Sequence, residues 1–285
     1  MALIGVGLMG GSLGMAVKRA RLVGEIVGYA PQAAELKRAV QRGAIDRSAK
    51  TAAEAVQGAD LIVLATPVGT FEPLVKSCAG SFKPGALLTD VGSVKGALIG
   101  RIEALLPPHV IYLSSHPLAG GERSGIDASS ATLFDGGRCL ITPGRQSNQT
   151  GRPEALKRLT RLWEGVGATV TTLDPFEHDR YLALVSHLPH LVAYALVNCA
   201  MEAAKEAPGL LGFSAGGFRD FTRIAASSPE MWRDICLENR AEIVKALARY
   251  QATLEQYRRL IDAADGASLE QSFRNARRVK EELRS

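Results

Sequence analysis

The chain has few cysteines and few aromatic side chains for its length. Its 285 residues include four cysteines, two tryptophans, six tyrosines and eight phenylalanines. The cysteines lie far apart and form no C-x-x-C motif. This spacing is typical of reduced, mostly packed thiols in a cytosolic protein rather than of a disulfide-stapled one.

Long apolar runs and dense charge are also missing. The apolar run at 191–201 is too short to span a bilayer, and the first residues lack the basic segment of a signal peptide. The net charge is +5, and the basic cluster at 274–284 is partly neutralised by Glu281 and Glu282. No basic stripe with interleaved aromatic residues occurs, which argues against nucleic acid. We therefore expect a soluble, cytoplasmic protein with neither a membrane nor a nucleic-acid partner.

What is present is an ordinary globular composition. Hydrophobic residues make up 46% of the chain and charged residues 22%, as in most soluble domains. The length allows two domains with their own cores. The mildly basic balance suits a small anionic substrate.

A glycine-rich motif opens the chain. Residues 4–13 read I-G-V-G-L-M-G-G-S-L, where a short apolar run meets Gly5-x-Gly7-x-x-Gly10 and turns into a helical pattern. In the dinucleotide-binding fingerprint these glycines permit the tight turn, the approach of a pyrophosphate and close packing of the helix. The N–H groups at the helix N-terminus attract the same phosphates. The motif predicts a dinucleotide cofactor, the alternative being a plain turn between strand and helix.

Strand and helix signals alternate through the first 174 residues. Strands are predicted at 1–6, 25–29, 60–65, 86–89, 110–113, 138–142 and 169–173, and the main helices at 8–21, 33–42, 70–79, 94–105 and 153–165. This alternation predicts a Rossmann-type α/β domain with a doubly wound parallel sheet over residues 1–174.

Residues 175–285 show helical signals throughout, which predicts an all-α second domain. A long helix is expected at 176–206, kinked at Pro189, and another at about 229–257. The second carries apolar residues at spacings of four and three along one seam, namely Ile243, Leu247, Tyr250, Leu254, Tyr257 and Ile261. The seam packs within the domain or between two subunits, and we favour a homodimer formed by this domain.

Ligands of doubly wound sheets bind beyond the carboxyl ends of the strands. There, His116 stands in S-S-H-P-L-A-G-G, where an imidazole can accept a proton from a hydroxyl near a nicotinamide. Ser93 in D-V-G-S-V-K can hold the same oxygen or orient His116, or it can cap the helix that follows. Lys95 is expected to be solvated. The alternative for His116 is a loop histidine bonded to a backbone carbonyl.

Two further motifs lie in the helical part. His187 and His190 fall on one helical face, where we expect a pair lining a cleft rather than a metal site, the plainer alternative being that one packs inside the domain. Arg219 and Arg223 stand in G-G-F-R-D-F-T-R-I-A, where an arginine can clamp a carboxylate with two hydrogen bonds or form a surface ion pair.

Together these pieces resemble the prephenate/arogenate dehydrogenase family of tyrosine biosynthesis. The resemblance covers nearly the whole chain. The matching segments are G-V-G-L-M-G-G-S-L at 5–13, T-P-V at 66–68, T-D-V-G-S-V-K at 89–95, S-H-P-L-A-G at 115–120, H-L-P-H at 187–190 and G-F-R-D-F-T-R-I-A at 217–225. The last three motifs, in this order, are highly specific.

The resemblance implies NAD(P)-dependent oxidative decarboxylation of prephenate, arogenate or both. It implies that His116 accepts the proton of the C4 hydroxyl and that Ser93 binds the same hydroxyl. Arg223 would pair with the ring carboxylate, and His190 would face the substrate side chain. Glu122 and Trp232 would gate or line the pocket, and Asp220 would join Arg223 in an ion-pair network.

The expected cofactor contacts are the fingerprint and the residues that follow the neighbouring strands. They are Gly5, Gly7, Leu8, Met9, Gly10, Ala30, Thr66, Pro67 and Ser93. An NAD-binding chain usually carries an acid after its second strand, whereas this chain has Ala30 there. We expect NAD on family habit, with NADP as an alternative, and no metal.

Two other functions compete with this interpretation. A β-hydroxyacid dehydrogenase shares the nucleotide fold and the helical second half, but such enzymes generally use a helix lysine, and Lys205 and Lys245 stand in no convincing motif. A dinucleotide-binding protein without catalysis would not need the set of Ser93, His116 and Arg223.

Overall fold

The computed structural model describes residues 1–121, 123–144 and 151–283. Within them an eight-stranded sheet has the order β3-β2-β1-β4-β5-β6-β7-β8. The strands are β1 Ala2–Ile4, β2 Val27–Tyr29, β3 Arg47–Ser48, β4 Leu61–Leu64, β5 Leu87–Asp90, β6 Ile111–Pro117, β7 Arg138–Pro143 and β8 Thr169–Thr172. The order reverses between β1 and β4, where doubly wound sheets bind their ligands.

Helices connect these strands and form the rest of the chain. They are α1 Leu8–Arg19, α2 Ala33–Gln41, α3 Ala52–Val56, α4 Phe71–Cys78, α5 Gly96–Leu105, α6 Arg152–Gly165, α7 Pro175–Leu182, α8 Leu188–Glu206, α9 Gly216–Thr222, α10 Pro229–Glu238, α11 Arg240–Asp262 and α12 Gly266–Glu282. The predicted α/β sheet followed by helices is confirmed, although the sequence did not reveal β3.

The sheet departs from the parallel arrangement at one pair of strands. The six neighbouring strands β3-β2-β1-β4-β5-β6, in sheet order, pair in parallel. In contrast, β7 runs antiparallel to β6, with His116 opposite Leu140. Among its described residues, the β6–β7 connection carries the short turn 126–128 and no long helix, so it lacks the crossover that a parallel partner requires. As a result β6 extends to Pro117 and includes His116, which was expected just beyond a strand at 110–113.

Two apolar layers bury the sheet. One face of the sheet contributes Leu3, Val63 and Leu113 to a cluster that includes Phe134 and Trp163. The other face contributes Ile4, Ile62 and Leu88 to a cluster with Phe71 and Tyr112. The central strands are therefore buried on both sides, which explains why they read as continuous apolar runs.

The fingerprint forms the predicted turn between β1 and α1. Gly5 has φ +94°, and a Cβ there would lie 2.5 Å from the Ala65 carbonyl oxygen. A Cβ on Gly10 would lie 2.0 Å from the Gly5 carbonyl oxygen. Only glycine fits either place, since one needs a left-handed backbone and both need close backbone contact.

The predicted long helix at 176–206 is interrupted near Pro189. Helix α7 passes into a π-helical turn at Ala183–His187 before α8 begins at Leu188. Proline lacks an N–H donor, so the regular hydrogen-bond ladder cannot continue through it. The irregular turn therefore carries His187.

The stretch Pro175–Glu206 is long and apolar enough to cross a membrane by length and composition, which the shorter run at 191–201 did not suggest. One such helix is a weak indication, because core helices of soluble proteins pass the same test.

The predicted long helix at 229–257 is two helices, α10 and α11, which meet at Asn239. The chain separates into two compact units, Met1–Arg240 and Ala241–Ser285. In the second unit the Tyr257 and Phe273 rings meet at 5.8 Å, and the Tyr257 hydroxyl lies 3.1 Å from Ser272 Oγ. The expected division at 174/175 follows the change from sheet to helices and stays a prediction.

Gly14 and Gly100 predict opposite effects of the same substitution in two helices. A Cβ at Gly14 in α1 would lie 2.1 Å from the Ala44 carbonyl oxygen, whereas Gly100 in α5 has nothing within 4 Å. We expect Gly14→Ala to destabilise the protein by about 1–3 kcal/mol through overpacking. Gly100→Ala should stabilise it by about 0.5–1 kcal/mol through helix propensity.

Thermal melts at one fixed protein concentration measure both variants. Gly100→Ala is the matched control, because it makes the same chemical change inside a helix without the backbone contact. A melting temperature for Gly14→Ala at or above that of the unmodified chain would contradict the contact with Ala44.

Candidate active site

A buried ion pair lies at the carboxyl end of β5. The Lys95 Nζ lies 2.5 Å from Asp90 Oδ1 and donates to the Ser115 carbonyl oxygen at 2.7 Å. Both side chains are essentially inaccessible, at 0% and 1% exposure. The expectation that Lys95 is solvated was therefore wrong. A charge can be buried in this way because it is paired and hydrogen-bonded.

The other carboxylate oxygen of Asp90 joins this loop to β6. The Tyr112 hydroxyl donates to Oδ2 at 2.7 Å, and the Ser114 hydroxyl donates to the same atom. The Gly92 N–H donates to Oδ1 at 2.7 Å. Burial and the Asp90 charge raise the pKa of Tyr112 well above its ordinary value, so the phenol stays a donor. These bonds fix the loop that carries Ser93 against the strand that carries His116.

His116 is buried near the end of β6, with 8% of its surface exposed. Its Nδ1 lies 2.9 Å from Nε2 of His178. Burial, followed by the charges of His178, Lys95 and His187, holds the pKa of His116 well below its ordinary value. At neutral pH this imidazole is therefore uncharged and can accept a proton.

His178 and Asp179 continue the contact from α7. The His178 Nδ1 lies 2.8 Å from Asp179 Oδ1, and the Lys95 backbone N–H donates to the same oxygen at 2.8 Å. This second bond places Asp179 at the start of α5, whose N-cap is Lys95. The alternative role for Ser93 as the cap of that helix is thus wrong. The sequence analysis gave His178 and Asp179 no place in the site.

His187 lies near His178 and is fully buried. The Asn239 side chain donates to the Asp179 carbonyl oxygen at 2.9 Å and to His187 Nδ1 at 3.1 Å. Burial lowers the pKa of His187 to about 4, although the nearby Ser93 backbone opposes the shift. The Nε2 atom of His187 is buried and has no hydrogen-bond partner among the described residues. The plainer alternative, one histidine packed inside, holds for His187.

His190 is half-buried and stacks on Trp232. The ring centroids lie 3.8 Å apart at an interplanar angle of 23°. The His190 Nδ1 donates to the Ser186 carbonyl oxygen at 2.9 Å, which leaves Nε2 as an acceptor. Trp232 also packs with Val94 and Ile235. The structure therefore brings His187, His190 and Trp232 together beside Val94, the neighbour of Ser93. The roles of His190 and Trp232 in lining a substrate cleft stay predictions.

Helix α10, which carries Trp232, also lies against the segment that follows β4. A Cβ on Gly69 would lie 2.6 Å from the Asp234 carboxylate. Thr66 and Pro67, both expected to contact the cofactor, belong to this segment. Candidate cofactor and substrate residues are thus held by neighbouring parts of one compact unit.

Arg223 and Asp220 are exposed. Asp220 belongs to α9, and Arg223 opens the short 3-10 turn Arg223–Ala226 that packs against α8. The Tyr194 hydroxyl of α8 donates to the Ser227 carbonyl oxygen at 2.8 Å and holds this segment near His190. The roles of Arg223 and Asp220 in substrate binding stay predictions. Glu122 lies outside the described residues.

The residues around the fingerprint fit a dinucleotide. Helix α1 begins at Leu8, and its N-cap Gly7 makes no side-chain cap hydrogen bond. A Cβ on Gly7 would meet no atom closer than 3.9 Å, which leaves room before the helix. Ala30 is buried directly after β2, and the Thr66 and Thr70 hydroxyls lie 2.7 Å apart after β4. The glycine turn and the N-terminus of α1 fit the binding of a pyrophosphate.

Within the described ranges, no three His, Cys, Asp or Glu side chains are placed to hold a metal ion. The histidine cluster is instead organised by hydrogen bonds to Asp179, Asn239 and Ser186.

Two family models cover the chain. Residues 13–172 match the nucleotide-binding domain of prephenate dehydrogenase, and residues 174–275 match its dimerisation domain.

The relatives agree with these models. A prephenate dehydrogenase of Bacillus subtilis is 32% identical over 99% of this chain and 75% of its own length. A cyclohexadienyl dehydrogenase of Zymomonas mobilis is 33% identical over 100% of this chain and 96% of its own. The crystal structure of prephenate dehydrogenase from Aquifex aeolicus with hydroxyphenyl propionate and NAD⁺ gives a TM-score of 0.91 at 34% identity, covering 99% of this chain and 97% of that one. The chain belongs to the prephenate dehydrogenase family.

Proposed function

We propose that this protein catalyses the NAD-dependent oxidative decarboxylation of prephenate, arogenate or both, in tyrosine biosynthesis. The observation that carries the proposal is His116, a buried and uncharged imidazole at a strand end of a dinucleotide-binding sheet. Family membership and the NAD⁺ in the Aquifex relative support the same activity.

Each of the proposed site residues has a separate role in the reaction. His116 accepts the proton of the C4 hydroxyl through its free nitrogen, and Ser93 holds the same oxygen. Arg223 binds the ring carboxylate, which needs a cationic partner in a partly dry cleft. Loss of that carboxylate as CO₂ makes the ring aromatic, which drives the reaction. His190, held by Ser186 and stacked on Trp232, faces the side chain that distinguishes the two substrates.

The cofactor would be held by the fingerprint and by Ala30, Thr66 and Pro67. Bound NAD supplies the hydride acceptor. The nearest arginine after β2, Arg38, lies 3.0 Å from Asp127 in an exposed ion pair. Asp127 thereby neutralises the positive charge of Arg38, which would otherwise bind the 2′-phosphate of NADP. The pairing favours NAD over NADP.

The rival enzyme class finds little support in the lysines. Lys205 pairs with Glu202 at 2.6 Å, and Lys245 pairs with Glu242 at 2.6 Å, and both lysines are about two-thirds exposed or more. An acid–base lysine of a β-hydroxyacid dehydrogenase would instead face the cleft. A catalytically silent binding protein would not need a desolvated base such as His116.

A cytoplasmic homodimer formed by the helical part suits the exposed surface. The match to a dimerisation domain supports it. Large apolar side chains lie exposed on the helices, among them Val185, Met201, Phe213, Ile261 and Phe273. Exposed apolar side chains of this size are compatible with association between subunits.

A spectrophotometric assay that crosses prephenate and arogenate with NAD and NADP tests the proposed function. We expect turnover with NAD and at least one of the two substrates, because the residues that the proposal needs are all present. Simple β-hydroxyacids serve as the control substrates. Turnover of the hydroxyacids alone would overturn the proposal in favour of the rival class, and turnover of none of these substrates would overturn it in favour of a binding protein.

His116→Asn should lower turnover by about 10²–10⁴-fold while NAD affinity holds, because it removes the base and leaves the fingerprint intact. Steady-state kinetics and cofactor fluorescence titration measure the two effects. His109→Asn is the matched control, since His109 is exposed. Equal turnover of His116→Asn and the unmodified enzyme would remove His116 from the mechanism.

Arg223→Ala should chiefly weaken substrate binding, by about 2–5 kcal/mol, because it leaves the ring carboxylate without its partner. The Michaelis constant measures this loss. Arg158→Ala, which removes an equal charge from an exposed position of α6, controls for the change in net charge. A Michaelis constant that stays the same in Arg223→Ala would refute the assignment.

A further inference from the structure

We propose that His178 and Asp179 are positioning residues, which fix His116 in the Nδ1–H tautomer and stabilise the positive charge that forms on it. The inference rests on the proposed function for the role of His116 as the base. It concerns a row of three side chains, from His116 in β6 through His178 to Asp179 in α7, all of them buried.

The directions of the hydrogen bonds follow from the two fixed ends of the row. Asp179 Oδ1 accepts from the Lys95 backbone N–H at 2.8 Å, so this oxygen is an acceptor. His178 Nδ1, at 2.8 Å from the same oxygen, must then carry the hydrogen. A neutral imidazole with Nδ1–H has a bare Nε2. The His178 Nε2 therefore accepts, and the hydrogen in its 2.9 Å contact with His116 belongs to His116 Nδ1.

This arrangement leaves Nε2 of His116 as the nitrogen with a lone pair. A base must present that lone pair to the hydroxyl it deprotonates. In the other tautomer, Nε2 would carry the hydrogen and could not accept. The His178–Asp179 pair therefore selects the reactive form of His116, as the orienting carboxylate does in other histidine-based sites.

The backbone around Asp179 holds the pair rigidly. A Cβ on Gly96 would lie 2.5 Å from Asp179 Oδ2, so α5 packs directly on the carboxylate. Asn239 donates to the Asp179 carbonyl oxygen at 2.9 Å. Asp179 is thus held by α5 and by the end of α10, and it cannot turn away without breaking these contacts.

The His178–Asp179 pair also brings a negative charge near His116, where burial and the neighbouring groups otherwise disfavour the protonated imidazole. The groups that face His116 are His178 and Asp179 of α7, Lys95 and Asp90 beside β5, Cys139 of β7 and His187 of the π turn. Burial, His178, Lys95 and His187 all lower the pKa of His116. Asp179 raises the pKa of His178 against the effect of burial. When His116 Nε2 takes the hydroxyl proton, the new charge is shared along the hydrogen bond toward Asp179.

The first test measures the tautomers directly and does not depend on turnover. Two-bond ¹H–¹⁵N correlation spectra of protein labelled at histidine distinguish Nδ1–H from Nε2–H forms, and single His→Gln variants assign the five histidines. We expect Nδ1–H for His116 and His178 at pH 8. His187 is the internal control, because Asn239 donates to its Nδ1 and so imposes the Nε2–H form. An Nε2–H form of His116 would overturn the proposal.

The second test is the kinetics of Asp179→Asn. The amide oxygen can still accept from Lys95 and His178, so the variant removes the charge with little change in shape. We expect kcat to fall by about 10–100-fold, with the Michaelis constants and NAD affinity within about twofold. Losing a negative charge lowers the pKa of His116. The acidic limb of kcat/KM should therefore move to lower pH, by about half a unit or more.

Asp174→Asn is the matched control. Asp174 caps the same helix by accepting from Phe176 N–H and Glu177 N–H, and asparagine caps equally well. This variant should leave kcat and the pH profile unchanged. His178→Gln offers a second route, since its amide oxygen can accept from His116 while its link to Asp179 is lost; it should lower kcat with the Michaelis constants held.

The outcomes separate this proposal from the proposed function. If the unmodified protein turns over neither substrate, the function fails, while the tautomer measurement still decides the hydrogen-bond pattern. If it is active and Asp179→Asn does not move the acidic limb to lower pH, the charge-stabilising role is wrong. Melting temperatures within a few degrees of the unmodified chain show that each variant is folded.

Discussion

The buried pair between Asp90 and Lys95 is the interaction on which the candidate site depends. It joins the end of β5 to the loop before α5, and through the Ser115 carbonyl oxygen it also reaches β6. Removing one partner of such a pair leaves an uncompensated buried charge, which costs about 3–5 kcal/mol. The Asp90–Lys95 ion pair therefore holds this part of the structure in place, and the positions of the side chains that follow it in the chain depend on it.

Asp90 and Lys95 each also make contacts that lead toward His116. Asp90 binds the hydroxyls of Tyr112 and Ser114 in β6, which leads directly to His116. The backbone of Lys95 binds Asp179, which holds His178 against His116. The two approaches to the imidazole, along its own strand and across from α7, thus start from the same two residues. Burial, together with His178 and the positive charge of Lys95, meanwhile holds the pKa of His116 low, so that the imidazole is uncharged at rest.

The parts of this structure that depend on local sequence could be predicted. The turn at Gly5 and Gly10 needs glycine because the backbone approaches itself there, and the fingerprint states that need directly. The apolar runs of β4 and β5 reflect burial on both faces, and the interruption near Pro189 follows from the missing N–H. The candidate positions of His116 and His190 followed from strand ends and motifs rather than from distances.

The parts that depend on tertiary pairing could not be predicted in the same way. Lys95 follows a strand in a polar turn, and nothing local indicates that its partner Asp90 is buried with it. His178 and Asp179 stand in P-F-E-H-D-R-Y-L at the start of a helix, where polar residues are common. Their partners lie 62 and 84 residues away along the chain. An adjacent His-Asp pair at a helix start, in a chain that already offers a strand-end histidine, is the one signal that could have raised them as candidates.

His116, which we propose as the base, lies in a strand and not in a loop. A loop histidine would stay near water and could change tautomer as its partners moved. In β6, His116 is held by the ladder with β7 on one side and by His178 on the other. The antiparallel β7 makes this possible, because its pairing with β6 extends to Pro117, beyond the point where the parallel ladder with β5 ends at Tyr112. The departure from an all-parallel sheet therefore fixes the backbone of His116, the residue that we propose as the base.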